Sequence, residues 1–191
     1  IAFMMLVEEG LVALDDPVHR YIPQWRDLGV YEAGFLETFR MRRTSRPMRI
    51  IDLLRHTSGL TYGFQQRTNV DAAYRKLQLG EVGGSVSLDA MIDGLAKMPL
   101  EFSPGDAWNY SVATDVLGWL IGRISGIPFE RFLEERIFEP LGMHDTSFHV
   151  PAEKADRLAA CYRFTPTDPM RLVDDPQSSN YLRPPAFVSG G

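Results

Sequence analysis

Two apolar stripes in immediate succession constrain this chain more than anything else in it. Val112, Val116, Leu117, Leu120, Ile121 and Ile124 recur at helical spacing, and Gly126 stands where that stripe ends. Pro128 follows at a position tolerated in a first helical turn. Phe129, Phe132, Leu133 and Ile137 then share one side, and Pro140 stops the run. Two consecutive helices, each apolar on one face, have to bury those faces against something. With 191 residues, 45% of them hydrophobic and 24% charged, the chain is ordinary globular material and long enough to build a core.

The other segments read as shorter elements. Ala2, Met5 and Leu6 recur at helical spacing before Gly10, with no capping residue ahead of them. The chain therefore reads as an internal piece of a longer protein, opening in the later turns of a helix. Asp15-Asp16-Pro17 to Pro23 favours a turn or short helix, and residues 26–47 read as irregular, with Arg40-Met41-Arg42-Arg43 on the surface. A helix follows Pro47, with Ile50, Ile51, Leu53 and Leu54 on one side, and ends near His56-Thr57-Ser58-Gly59. Another helix is expected over Val70–Leu79, a loop over Gly80–Ser85, and a third helix from an N-cap at Ser87 to near Lys97. Prolines crowd the chain from Pro151 onward, which predicts mostly loop with a strand around Cys161–Thr165. The expected class is mainly α.

Several functions are excluded by what is absent. Twenty basic against 25 acidic residues, with no basic cluster beyond Arg40–Arg49, argue against nucleic acid as a partner. The longest apolar run, Ile1–Val7, is far too short for a membrane span. One cysteine, Cys161, leaves no internal disulfide or cysteine-based zinc cluster, and it reads as a buried or strand residue rather than a nucleophile. Phosphate-cradling glycine loops and the G-x-S-x-G nucleophile elbow do not occur, and no cofactor is called for. His144, Asp145 and His149 lack ligand spacing, so no metal site is expected and a surface turn is. Two readings are open for His56, a catalytic base or, the one favoured, a helix-end histidine whose ring ties down the last carbonyls. The compartment stays open, with the cytoplasm slightly favoured over the periplasm.

Phe102-Ser103-Pro104-Gly105-Asp106-Ala107-Trp108-Asn109-Tyr110-Ser111-Val112 is different. A proline–glycine turn leads through a short extended piece to the start of the long helix. Tyr110 stands at that junction, where side chains are held by a rigid element yet open to ligand. Two readings are open on spacing alone: a functional tyrosine, or an aromatic helix-entry residue packed on Trp108.

Four blocks in order carry a resemblance. Gly10-Leu11-Val12-Ala13-Leu14-Asp15-Asp16-Pro17-Val18, Ile51-Asp52-Leu53-Leu54-Arg55-His56-Thr57-Ser58-Gly59-Leu60, the Phe102–Val112 segment, and Phe138-Glu139-Pro140-Leu141-Gly142-Met143 resemble the serine β-lactamase and penicillin-binding-protein family. The resemblance is strongest to its class C-like branch and to β-lactamase-like (family VIII) carboxylesterases. It covers nearly the whole chain. It implies the helical half of an α+β fold, with most of the antiparallel sheet missing, and a single partial domain over residues 1–191. It also implies acyl-enzyme chemistry at a serine in an S-x-x-K motif, assisted by a tyrosine and a C-terminal K-T-G-like or W-x-G-like strand.

No serine here has lysine three residues on, and the last strand motif is absent too. Of the three catalytic elements, only the tyrosine is present, and the family match falls on Tyr110. The intact protein is thus expected to be a serine hydrolase of carboxylic esters, and these 191 residues alone to be inactive. The alternatives are a β-lactamase or D,D-peptidase-like enzyme, or a non-catalytic scaffold or binding relative. In the β-lactamase branches the position two after the tyrosine is usually an asparagine that hydrogen-bonds the substrate amide. Here it is Val112, which points to substrate binding through an aliphatic acyl chain, with Tyr62 as an aromatic wall. A small-molecule ester is the expected partner.

Overall fold

The computed structural model describes residues 1–81, 85–185, 188 and 190. Among the described residues, six α-helices run in chain order: α1 (Ala2–Glu8), α2 (Ile50–Leu54), α3 (Asn69–Lys76), α4 (Leu88–Leu95), α5 (Ala113–Ser125) and α6 (Phe129–Leu133). Two antiparallel strand pairs accompany them, β1 (Gly29–Ala33) with β2 (Arg40–Arg43), and β3 (Cys161–Arg163) with β4 (Arg171–Asp174).

Helix α5 organises the core. Its Val116, Leu120 and Ile121 are buried, and α1, α2, α4 and α6 all pack on it. Gly126 ends it in the left-handed conformation (φ 73°), where a glycine bears no Cβ strain, and its N–H donates to the Gly122 carbonyl. Phe132 of α6 is fully buried, while Phe129, Leu133 and Ile137 are packed at the core's margin. The expected single helix over 128–137 is in fact broken: after Leu133 the backbone widens into a π-helical turn over Glu134–Phe138.

The shorter helices are closed by local chemistry. At the start of α3, Thr68 Oγ1 accepts the Asp71 N–H and Asp71 accepts those of Arg67 and Thr68, a reciprocal capping arrangement. Ser87 caps α4 by accepting the Ala90 N–H. Of the loop expected over 80–85, Val82, Gly83 and Gly84 lie outside the described residues, as do Ala186, Phe187, Ser189 and Gly191 near the other end.

The region 26–47 is not irregular. Gly29 pairs with Arg43, Val30 with Arg42 and Tyr31 with Met41, and a bulge at Glu32 shifts the register before Ala33 meets Arg40. Strand β2 is exposed along its length, so it has no inward-facing period to betray it. It is held by β1, whose other side is fixed by a Tyr31 N–H to Leu100 O bond of 2.8 Å and its return from Leu100 N–H to Gly29 O. Cys161 does lie on a strand, and it is exposed. Asp145 is spent on Lys154 and Arg157, consistent with a surface turn. No helix among the described residues is long and apolar enough to cross a membrane.

Candidate active site

Two segments about fifty residues apart meet beside α5. The first is the turn after α2. His56 N–H bonds Leu53 O and Thr57 N–H bonds Asp52 O, the paired closure of a Schellman C-terminus. Its left-handed position is usually glycine, yet here it is occupied by His56 at φ 55°. A non-glycine residue in that conformation costs on the order of 1 kcal/mol. Beneath the turn, Asp52 is buried and takes both guanidinium nitrogens of Arg46 at 2.6 and 2.8 Å. It also accepts the Arg49 N–H and the Thr57 hydroxyl. Burial alone would raise the Asp52 carboxyl, but Arg46 and these donors hold it below the usual carboxylate range.

The second segment is 103–112. Asp106 N–H closes the Ser103-Pro104-Gly105 turn on Ser103 O, and residues 107–111 form no helix or strand and lie against the first segment. Gly105 N–H donates to Thr57 O, Asn109 N–H to His56 O, and Val112 N–H to Thr61 O. The approach is close enough that a Cβ on Gly59 would lie 2.3 Å from Phe102 O. Side chains complete the seam. Asn109 Nδ2 donates to Leu60 O, its Oδ1 accepts from Arg67, and Gln65 Nε2 donates to Tyr110 O.

This stitching presents Tyr110, whose residue is 42% exposed. Its ring lies 5.0 Å from that of His56, 5.2 Å from Tyr62 and 6.4 Å from Phe64. Among the described residues its hydroxyl makes no hydrogen bond. Packing on Trp108 is not what holds it: Trp108 is 66% exposed and its ring meets His56 instead, 6.1 Å away. The His56 ring does not tie down helix carbonyls as expected from the sequence. The left-handed backbone turns it away from α2, and its Nδ1 lies 3.2 Å from Ser111 Oγ. Burial lowers its pKa, which favours the neutral imidazole at pH 7.

The two other expected site residues sit behind this surface. Tyr62 is brought into the cluster, but nearly buried, stacked on the 65%-exposed Phe64 at 4.9 Å. Its hydroxyl donates to buried Asp115 at 2.8 Å, and burial together with that carboxylate raises its pKa. Val112 is fully buried, its Cγ1 packed toward Gly80. Its side chain faces the core within these 191 residues. A cavity of about 690 Å³ exists elsewhere, between α6 and the Met143–Leu158 segment, and no residue of the Tyr110 cluster lines it.

The chain matches the β-lactamase family over residues 1–190 and belongs to it. It is 37% identical over 190 residues to Protein Rv1367c of Mycobacterium tuberculosis, covering all of this chain and 46% of that protein. It is 33% identical over 208 residues to Esterase EstB of Burkholderia gladioli, covering 49% of that enzyme. The solved structure of EstCE1, a hydrolase with promiscuous acyltransferase activity, is similar with a TM-score of 0.72 at 29% identity, over 91% of this chain and 42% of that one. The chain spans about half the length of the curated relatives it matches.

Proposed function

We propose that the protein is a serine hydrolase of short carboxylic esters, in which Tyr110 moves the proton. The observation that carries this is the presentation of Tyr110: a half-exposed phenol, its hydroxyl without a hydrogen bond among the described residues, on a segment pinned by backbone hydrogen bonds. The esterase and acyltransferase activities named for EstB and EstCE1 support the reaction class. Residues 1–191 are then part of one catalytic domain, and the serine and lysine of S-x-x-K lie outside them.

The steps follow from that placement. As the serine oxygen bonds to the ester carbonyl carbon, it gives its proton to the Tyr110 oxygen while the phenol passes its own proton to the neutral amine of the S-x-x-K lysine, and the carbonyl electron pair moves onto oxygen. Collapse of the tetrahedral adduct breaks the bond to the alcohol, which leaves with a proton returned through the same relay. Water then attacks the acyl-serine and loses its proton to the relay, and collapse of the second adduct returns that proton to the departing serine oxygen as the acid is released.

Preference for esters rests on where amides are committed. Position 112 carries no hydrogen-bonding side chain. The Asn109 and Gln65 amides each donate one N–H to a backbone carbonyl, of Leu60 and Tyr110, which fixes their orientation within the seam. A substrate amide left unpaired costs about 1–3 kcal/mol, whereas an aliphatic ester bears no such cost. Phe64, backed by Tyr62, offers an apolar wall instead.

In the full-length protein Tyr110→Phe should lower kcat on p-nitrophenyl butyrate by about 10²-fold with the fold intact. Activity within a few-fold of the parent means Tyr110 is a packing residue. Faster turnover of a chromogenic cephalosporin than of the ester, compared as kcat/KM, overturns the substrate assignment.

A further inference from the structure

We infer that His56 is the positioning residue for Tyr110, fixing the tyrosine ring through a direct ring contact and through Ser111. The inference rests on Tyr110 being the proton-transfer group proposed above.

The backbone raises the question. The turn after α2 is a Schellman closure, and the position His56 fills is one where glycine is favoured because no Cβ is strained there. Histidine visits that conformation more often than most residues, but it is not the residue that closes such a turn at least expense. Strain retained at a turn is a pointer to function when the side chain does something that glycine cannot.

What the ring does is visible. It packs 5.0 Å from Tyr110, tilted by 51°, and covers Tyr110 on one side while Tyr62 covers it at 5.2 Å. Its Nδ1 reaches Ser111 Oγ at 3.2 Å, so it grips the residue immediately after the tyrosine. The backbone carbonyl of the same residue accepts the N–H of Asn109, immediately before it. One residue thus holds Tyr110 by its ring and by both chain neighbours. Ser111 is fully buried, which makes that grip a fixed one. Among the described residues the phenol has no hydrogen bond to hold its direction. Without the imidazole, the Tyr62 and Phe64 rings are what remains against it among the described residues, and a small loss of alignment at a proton-transfer group is costly to rate.

His56→Gly removes the ring while relieving the left-handed backbone, so the variant should fold as well as the parent or better. In the full-length protein it should melt at or above the parent temperature. Its kcat on p-nitrophenyl butyrate should fall about tenfold or more, with KM changing less than about threefold. Combined with Tyr110→Phe, it should add little: the double variant should turn over within about threefold of Tyr110→Phe alone. An undiminished kcat in His56→Gly, a loss that multiplies with that of Tyr110→Phe, or a lowered melting temperature accompanying the loss overturns the positioning role. If Tyr110→Phe is itself without effect, or the parent does not turn over the ester, the proposed function fails first and the inference falls with it.

Discussion

Replacing Asp52 by Asn tests whether the pair beneath the His56 turn is what holds it. The side chain keeps its shape, but one oxygen becomes an NH2 and the charge is lost. Asp52 now accepts from both Arg46 nitrogens, the Arg49 N–H and the Thr57 hydroxyl. In the variant one of those donors must face another donor, and the Arg46 contacts lose their charge assistance. Charge-assisted hydrogen bonds contribute about 1.5–3 kcal/mol against 0.5–1.5 for neutral ones, and an unsatisfied buried N–H costs about 1–3 kcal/mol. Breaking a fully buried pair costs about 3–5 kcal/mol. Asp52 is only 4% exposed but Arg46 is 32%, and water can recover part of the arginine's loss. The expected net is about 2–4 kcal/mol. In urea, with a slope of about 2 kcal/mol/M, the midpoint should fall by about 1–2 M.

The same substitution has a signature in pH. Because Asp52 titrates below an unfolded aspartate, its stabilisation is fully present above the ordinary carboxylate range and is lost as pH falls through the lowered value. Parent and variant should therefore differ most near neutral pH and converge in acid. The assay is urea unfolding of the full-length protein, followed by tryptophan fluorescence, at pH 7 and at pH 3. A difference below about 1 kcal/mol at pH 7, or one that is undiminished at pH 3, refutes the assignment.

Two further outcomes test the helical scaffold by the same unfolding assay. Gly126→Ala places a Cβ in the left-handed C-terminus of α5, with no atom near enough to clash; the loss should be conformational alone, about 1–2 kcal/mol, and a neutral result refutes the assigned geometry. Leu120→Ala empties a fully buried site at the centre of α5 and should cost about 2–5 kcal/mol, whereas less than 1 kcal/mol would show that α5 does not organise the core.

The helices and their ends were legible because they are local. Leu120 and Ile121 repeat with the helix, Ser87 caps α4 through its own next turn, and Gly126 terminates α5 through its own backbone freedom. The Tyr110 junction was legible for the same reason, as a turn, an extended piece and a helix start in one short stretch, and the ordered blocks around it gave the family. Strand β2 was not legible. Arg40–Arg43 has no buried face, and it is a strand only because β1 offers a hydrogen-bonding edge after docking on Leu100.

His56 and Val112 mark the other limit. Both stood out in sequence, but where each side chain points depends on a packing partner far away along the chain. His56 meets Tyr110 because α2 packs on α5, which brings two segments about fifty residues apart into one hydrogen-bonded seam. Val112 goes into the core because the same seam places it against Gly80 rather than beside the phenol. Sequence alone determined the main helices, since their periodicity depends on neighbours in the chain, and the ordered blocks singled out Tyr110. Only the tertiary structure decided which ring supports that tyrosine and which expected contact is buried, because burial and ring packing are set by groups the chain must fold to bring together.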